Sequence, residues 1–216
     1  DTRGHAGIVS YEPTELVITA RCGTPLADIE EALAKEAQCL PFEPPHFGAG
    51  ATFGGCIAAG LSGPRRATAG ALRDFVLGVR LIDGRGRALQ FGGQVMKNVA
   101  GYDVSRLAAG SLGTLGLIAE ASLKVLPRPA EELTLRFQMS QPQALDAMLG
   151  WAARPLPISA TAWHAEVLLV RLSGAGPAVK AAAAKLGGEP VNEPPWRAIR
   201  QVHTGCIPHR PQSKRR

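Results

Sequence analysis

A glycine-rich stretch limits most strongly what this 216-residue chain can fold into. Residues 48–64, GAGATFGGCIAAGLSGP, contain six glycines and almost no polar side chain. Because glycine loses more backbone freedom on folding than any other residue, such a cluster indicates a tight turn or a close backbone approach to a ligand. The stretch departs from the dinucleotide fingerprint, since Phe53 replaces its third glycine and no apolar strand leads into it. A Rossmann domain is therefore not favoured.

Composition and charge narrow the class of protein. With 45% hydrophobic and 19% charged residues, the chain is typical of a soluble globular protein of one or two domains. Four of the positive charges behind the net charge of +6 lie in the last seven residues, so no basic stripe indicates a nucleic-acid partner. No apolar run is long enough to cross a bilayer, and no export signal is visible. The sequence predicts a cytoplasmic protein.

The four cysteines predict neither a disulfide framework nor a metal site. They are scattered along the chain without a C-x-x-C pair or a histidine at ligand spacing, which argues against structural zinc and iron–sulfur clusters. Reduced, structural thiols are expected at Cys22, Cys39, Cys56 and Cys206.

Hydrophobic patterns predict mixed helices and strands over residues 1–128. The helix is expected to begin with Thr24 as its N-cap and to bury Leu26, Ile29, Leu33 and Ala37. In the last strand, Leu115 and Leu117 should face the core with the alternating residues that follow. The predicted elements are a strand at 15–20, a helix at 24–37, a short helix within 54–61, a hairpin at 72–91 turning at Asp83-Gly84, a short helix at 102–110 capped by Asp103, and a strand at 114–127.

The prolines at 127 and 129 predict a domain boundary, after which the pattern changes. Residues 129–200 spell strand, helix, two strands and helix, the order of a ferredoxin-like βαββα unit that lacks its last strand. This truncated unit is expected to act as a partial substrate or cap domain. Residues 201–216 have no periodicity and are expected to form a disordered tail.

Three segments of the first domain occur together, in order, in one known family. They are ATFGGCIAAGLSGPRR at 51–66, GALRDFVLGVRLIDGRG at 70–86 and MKNVAGYDVSRLAAGSLGTLGLIAEASLKVLP at 96–127. They resemble the PCMH-type FAD-binding domain of the vanillyl-alcohol-oxidase family, and most of all the FAD-binding E subunits of bacterial glycolate oxidases. The resemblance implies an α+β domain with a mostly antiparallel sheet and flanking helices. It also implies that the N-terminal subdomain of the family, whose glycine-rich loop holds the pyrophosphate, is missing here.

The same resemblance implies FAD as the cofactor and assigns the residues that contact it. Backbone N–H groups where the glycine-rich turn opens a helix would offer an uncharged cradle for an anion. Lys97, Asn98 and Tyr102 are weaker candidates for an approach to the flavin. The cofactor-binding residues carried over are Ala51, Thr52, Gly54, Gly55, Ser62, Gly63, Gly70, Gly116 and Ile118.

The function that the resemblance implies is oxidation of glycolate to glyoxylate, a reaction on the CH–OH group of a 2-hydroxy acid. Electrons would pass through flavin to an iron–sulfur F subunit, in a complex that also contains a flavin D subunit. Such a complex could attach peripherally to the inner face of the membrane. The alternatives are another enzyme on this fold, such as a D-lactate dehydrogenase or an enolpyruvoyl-sugar reductase, and a non-catalytic FAD-carrying subunit.

No catalytic residue is predicted. A 2-hydroxy acid site needs a cation for the carboxylate and a base for the hydroxyl. His46, His164 and His203 are the visible candidates for the base, but none belongs to a recognisable catalytic constellation, and each is expected to be structural or exposed.

Overall fold

The structure is a computed structural model that describes residues 2–93 and 102–201. The chain forms two compact units that divide between Arg128 and Pro129. The tail predicted at 201–216 therefore lies almost entirely outside the described residues, as do Lys97, Asn98, His203 and Cys206.

The first unit is built on a five-stranded antiparallel sheet. Residues 17–20 of one central strand are all buried, so this part of the sheet is covered on both faces. The strand order is β1-β2-β6-β4-β5, and a separate pair joins β3 to β7. The strands are β1 Ile8–Glu12, β2 Val17–Arg21, β3 Gln38–Cys39, β4 Val76–Ile82, β5 Ala88–Gly92, β6 Leu117–Lys124 and β7 Leu126–Pro127.

Among the described residues of this unit, four short α-helices accompany the sheet, and apolar residues of these helices and strands form one buried core. Asp103 caps α4 by accepting the Arg106 N–H, as predicted. Thr52 is the N-cap of α2, since its hydroxyl accepts the Gly55 N–H, and Gly60, in the left-handed region, is the C-cap. The helices are α1 Leu26–Lys35, α2 Phe53–Ala59, α3 Arg66–Ala69 and α4 Val104–Ala108.

Three details of the predicted first unit are wrong. The Thr24 hydroxyl does not cap α1, because it donates to the Arg21 carbonyl and accepts the Gly7 N–H, so it fastens the preceding segment instead. Ala37 is exposed, because α1 ends at Lys35. Leu115 and Leu117 are each 48% exposed, since Leu115 precedes β6 and Leu117, the first residue of that strand, borders an open cleft.

Hydrogen bonds to both ends of α2 place three chain segments side by side. At its first turn, the Phe53 and Gly54 N–H groups donate to the Thr24 and Cys22 carbonyls in the loop after β2. At its last turn, the loop before β6 returns, since the Gly110 and Leu112 N–H groups donate to α2 carbonyls. The glycine-rich stretch therefore lies between the end of β2 and the start of β6.

The second unit is a four-stranded antiparallel sheet with the order β11-β8-β10-β9. The predicted βαββα order is present, and the α+β class is confirmed. The last strand, expected to be missing, is present as the two-residue β11 beside β8. The elements are β8 Glu131–Gln138, α5 Gln141–Ala152, β9 Ile158–His164, β10 Val167–Gly174, α6 Gly176–Leu186, β11 Glu189–Pro190 and α7 Trp196–Arg200.

The two faces of this second sheet are covered differently. Leu168, Val170 and Leu172 of β10 pack into a cluster with residues of α5 and α6. The alternate residues of β10 face the other way, where the Trp196 side chain of α7 packs on Val167 and Leu169. Strand periodicity thus gives β10 two buried faces, one covered by helices and one by a tryptophan.

Candidate functional site

A cleft of about 470 Å³ opens in the first unit beside the first turn of α2. Its walls come from α2, from the loop after β2, from the turn between β4 and β5, and from the start of β6. Glycines line it at 54, 55, 84, 113 and 116, so backbone rather than side chain forms much of its surface. This is the close backbone approach that the glycine-rich sequence indicates.

Five of the nine predicted cofactor residues line this cleft together: Thr52, Gly54, Gly55, Gly116 and Ile118. Gly55 and Gly116 lie 61 positions apart in the chain, and they meet here because the hydrogen bonds from 110–112 hold the loop against α2. Contact of these residues with FAD stays a prediction.

The other four predicted residues do not line the cleft. Ala51 lines a neighbouring groove of about 240 Å³, which shares Thr52 and Gly55 with the cleft. The Ser62 hydroxyl accepts the Leu72 N–H at 2.9 Å. A Cβ on Gly63 would collide with the Glu43 carbonyl, and Gly70 ends α3 with a φ of 109°. Local structure therefore accounts for Ser62, Gly63 and Gly70.

Two adjacent positions of α2, 54 and 55, carry glycine for different reasons. A Cβ on Gly54 would collide with the Cys22 side chain and lie 2.8 Å from the Cys22 carbonyl oxygen, so close packing of α2 on the loop after β2 requires glycine there. A Cβ on Gly55 would meet only the Thr52 hydroxyl, at 3.0 Å, within the 4 Å around it. Gly55 is exposed at the cleft, where a side chain would occupy the open space.

The expected cradle of backbone donors is not free at the first turn of α2. The Phe53 and Gly54 N–H groups donate to carbonyls of the loop after β2, and the Gly55 N–H donates to the Thr52 hydroxyl. These groups already have partners inside the protein. A ligand at this turn would therefore contact the backbone by close packing, and not through hydrogen bonds from these three N–H groups.

Electrostatics leave the cleft nearly neutral. Asp83 is its one charged lining residue within the described part of the chain. Hydrogen bonds from the Arg87 backbone and side chain hold the pKa of the Asp83 carboxyl below its usual value. Burial raises the pKa of the Cys22 thiol to about 12, so this thiol is protonated at neutral pH and is a poor nucleophile.

Two of the three histidines named as candidate bases, His46 and His164, lie in the described residues, and neither lines the cleft. The ring of His46 lines the neighbouring groove, with its Nε2 3.0 Å from the Glu30 carboxylate. His164 ends β9 in the second unit. Tyr102, the described member of the weaker flavin candidates, is fully exposed and also lies outside the cleft lining.

Several cleft residues were not among the predicted site residues. Cys22, Asp83, Gly113 and Leu117 line the cleft, but they come from segments whose patterns predict ordinary strands and turns. Of these four residues, only Gly113 has a sequence feature that could have indicated it, because it lies in the glycine-rich run GSLGTLG between α4 and β6. The other three are found only once β2, β4 and β6 are placed beside α2.

A buried arginine in the second unit is structural. The Arg171 side chain donates through Nε to the Ser159 hydroxyl at 2.9 Å, and its guanidinium lies 5.1 Å from the centre of the Trp196 ring. The Trp196 indole N–H in turn donates to the Thr134 hydroxyl. Such contacts hold Arg171, which is 4% exposed, against α7.

Residues 2–93 and 102–201 contain neither a candidate metal site nor a candidate membrane-spanning helix. In that part of the chain no three histidine, cysteine or acidic side chains come together in a way that could hold a metal ion. None of the helices there has both the length and the apolar character needed to cross a membrane.

Comparison with known proteins gives a family match for the first part of the chain and a similar curated protein for most of it. Residues 1–92 match the family model described as FAD binding domain. The chain is 54% identical over 201 residues to glycolate oxidase subunit GlcE of Escherichia coli, covering 93% of this chain and 57% of that protein. The resemblance recognised from the three sequence segments is confirmed.

More distant relatives include a second glycolate oxidase subunit and a D-lactate dehydrogenase. Glycolate oxidase subunit GlcD of Bacillus subtilis is 34% identical over 128 residues, covering 59% of this chain and 27% of that protein. The D-lactate dehydrogenase of Anaerostipes hadrus is 32% identical over 128 residues, covering 59% and 26%. The chain thus spans little more than half of GlcE and about a quarter of the other two.

A solved structure supports the fold. Alkyldihydroxyacetonephosphate synthase superposes with a TM-score of 0.71 at 18% identity, covering 94% of this chain and 45% of that one. At this identity the likeness concerns the fold alone.

Proposed function

We propose that this chain, which carries an FAD binding domain, is the FAD-binding subunit of a complex that oxidises glycolate to glyoxylate. The observation that carries the proposal is the glycine-lined cleft, in a chain that is 54% identical to a glycolate oxidase subunit over 93% of its length. FAD, when bound, supplies the acceptor for the electrons that leave the CH–OH carbon of the substrate.

The cleft fits a flat, uncharged part of the cofactor. A Cβ on Gly55 would fill space that is otherwise open, and Asp83 is locked by Arg87 and offers no positive charge to a diphosphate. We therefore assign Thr52, Gly54, Gly55, Gly116 and Ile118 to contact with the flavin ring or its ribityl chain. Ala51 lies beside them and would contact the cofactor only if the neighbouring groove is also filled.

In this proposal the described cleft residues orient and enclose the cofactor, and they do not supply the catalytic base. Gly54 seats α2 against Cys22, which sets the wall of the cleft, and Gly55 keeps that wall open. Cys22 holds its proton, because its pKa of about 12 lies far above neutral pH. We propose that the base and the cation for the substrate carboxylate come from outside the cleft lining.

The proposed partners are a flavin D subunit and an iron–sulfur F subunit, which would receive the electrons. Similarity to both GlcE and GlcD supports assembly with a D-type subunit. The iron–sulfur subunit is what the resemblance to bacterial glycolate oxidases implies as the acceptor of electrons from the flavin. A peripheral position at the membrane through these partners is part of the same proposal.

The experiment measures flavin binding and turnover separately. The purified chain is titrated with FAD and with riboflavin, and binding is followed by quenching of flavin fluorescence. If the cleft holds the uncharged part, riboflavin competes with FAD within about tenfold, a difference of about 1.4 kcal/mol. Failure of both to bind would contradict the assignment of the cleft.

Turnover is tested in the complex co-expressed with D-type and F-type subunits, by dye reduction with glycolate. The D-lactate dehydrogenases among the relatives favour D-lactate as the second candidate substrate, so it is assayed in parallel. Faster dye reduction with D-lactate than with glycolate would make D-lactate the proposed substrate in place of glycolate.

A further inference from the structure

The neighbouring groove of about 240 Å³ differs in chemistry from what a charged substrate needs. No lysine, arginine, aspartate or glutamate of the described residues lines it, and most of its wall consists of leucine, proline, alanine and phenylalanine side chains. An anion placed there would lose its hydration without meeting a cation, which is costly. A 2-hydroxy acid, which carries a carboxylate, is therefore a poor occupant, and an uncharged ligand is favoured.

A histidine held by a carboxylate lies at this apolar wall. The His46 imidazole lines the groove, and its Nε2 lies 3.0 Å from the Glu30 carboxylate of α1. Both side chains are largely shielded from solvent, at 21% and 29% exposed. An ionised carboxylate only accepts, so Nε2 donates in this pair. The groove therefore combines apolar walls with a group that can donate a hydrogen bond and exchange a proton.

The backbone around His46 is held in an unusual conformation. Two prolines precede it, and the flanking residues Glu43 and Phe47 have φ values of 48° and 52°. Such angles are uncommon for residues other than glycine, and they cluster at functional sites. The Glu43 carboxylate accepts the Arg65 N–H at 3.1 Å, which fastens the loop to the chain that follows α2. A restrained loop thus presents His46 to the groove.

The groove and the cleft share a wall. Thr52 and Gly55, at the first turn of α2, line both. A ring in the groove would therefore lie next to the part of the cofactor that the cleft is proposed to hold. A volume of about 240 Å³ suits a substituted single ring, since an apolar cavity of about 150 Å³ holds benzene.

We propose that the neighbouring groove binds a quinone and that His46 donates to one of its carbonyl oxygens. A quinone is an uncharged ring with hydrogen-bond acceptors, which matches an apolar groove that has a polar anchor. It also takes up what the proposed reaction releases. Oxidation of the CH–OH group to a carbonyl yields two electrons and two protons, and a quinone that accepts both pairs becomes a hydroquinone.

This electron transfer rests on the proposed function, because the electrons reach the groove through the flavin. His46 passes one proton to the carbonyl oxygen and regains it from solvent, which also supplies the second proton. The overall reaction balances as 2-hydroxy acid plus quinone giving 2-oxo acid plus hydroquinone. The groove then gives the electrons a second exit beside the proposed iron–sulfur partner.

Binding is tested by equilibrium dialysis of the full chain against duroquinone, a single ring whose every position is substituted, so that it does not add to cysteine thiols. Durene, the same ring and methyl groups without the carbonyls, is the matched ligand. His46→Phe should weaken duroquinone binding at least about tenfold, because the hydrogen bond is lost, and should leave durene binding within about threefold. His164→Phe, at an exposed position of the second unit, is the control and should bind both ligands like the wild type.

Two neighbouring alanines of α2 separate this inference from the proposed function. Ala59 lines the groove, whereas Ala58 lines the cleft. Ala59→Leu should fill the groove and weaken duroquinone binding at least about tenfold while riboflavin still binds, and Ala58→Leu should do the reverse. A wild type that binds duroquinone but not riboflavin would contradict the proposed function and leave the quinone site standing.

The electron transfer is measured on flavin that stoichiometric dithionite has reduced in the chain, so the result does not depend on glycolate. Added duroquinone should restore the flavin absorbance, and at least about tenfold more slowly in Ala59→Leu. Equal rates overturn the proposal, as does a wild type that fails to bind duroquinone or a His46→Phe protein that binds it as tightly. Displacement of duroquinone by saturating FAD overturns it too, because the groove would then belong to the cofactor.

Discussion

The first turn of α2 and the tryptophan-covered face of the second sheet use side-chain size in opposite ways. At α2, glycines let the backbone approach Cys22, and a cleft of about 470 Å³ remains beside them. On the second sheet, the Trp196 and Arg171 side chains fill the available space. Their N–H groups donate to hydroxyls of the same sheet, and the Arg171 guanidinium lies against the Trp196 ring. The comparison teaches that a buried charge alone does not mark a ligand site. Open space lined by positions that require small residues indicates a ligand site more strongly than a buried charge does.

The largest effect is expected where the space is filled. Trp196→Ala removes a ring that is 7% exposed and should lower the free energy of unfolding of the second unit by about 3–5 kcal/mol. All three tryptophans of the chain, at 151, 163 and 196, follow Pro129, so tryptophan fluorescence during urea unfolding reports on this unit. Trp196→Phe keeps a ring but loses the hydrogen bond to Thr134, and should cost less. Equal stability of Trp196→Ala and wild type would mean that α7 does not hold this face.

A smaller loss is expected at the packed glycine of α2. Gly54→Ala forces a Cβ against Cys22 and should destabilise the first unit by about 1–3 kcal/mol, as overpacking does. Far-UV circular dichroism during thermal unfolding measures the shift. Gly150→Ala, in α5 and with nothing within 4 Å of its Cβ position, is the control for a glycine replaced in open space. A Gly54→Ala protein as stable as this control would refute the packing argument.

The turn at the cleft edge should give a pH-dependent effect. The folded pKa of Asp83 lies below its ordinary value of 3.8, so its contribution to stability is full above that value and is lost as pH falls through the folded pKa. Asp83→Asn should remove this part of the acid sensitivity. Thermal unfolding of both proteins from pH 7 into the acid range makes the comparison, and parallel curves would contradict it.

The smallest effect concerns reactivity rather than stability. Cys22 is buried with a pKa of about 12, whereas Cys56 is half-buried at the neighbouring groove. Brief maleimide treatment at neutral pH, followed by peptide mass spectrometry, should label Cys56 faster than Cys22. Labelling in urea should remove the difference. Equal labelling of the folded protein would show that Cys22 is accessible.

The sequence predicts local elements better than it predicts the site. The helix at α2, the hairpin around Asp83 and the βαββα order follow from periodicity and turn residues, which act over a few positions. The prediction of Thr24 as a helix cap is wrong because a threonine before Pro25 suits a cap by its local sequence, whereas only the fold brings Gly7 to its hydroxyl. The short β11 escapes prediction because two residues carry no period.

The cleft required distant segments to meet. Gly54 and Gly55 look identical in the sequence, and the structure alone shows that one faces Cys22 and the other faces open space. Likewise, Gly63 and Gly70 share the composition of the glycine-rich stretch but are explained by the Glu43 carbonyl and by the end of α3. Composition therefore finds the region, and packing decides the role of each glycine.

The most direct test of the central claim is the flavin-to-protein ratio of Gly55→Val beside its thermal unfolding. If the cofactor lies against Gly55, the variant should fold within about 1 kcal/mol of the wild type, since only the Thr52 hydroxyl must yield, yet carry less than about a tenth of the flavin. The contrary result is wild-type flavin content in a protein that melts at a lower temperature. That outcome would make Gly55 a helix-start residue and would remove the cofactor from this cleft.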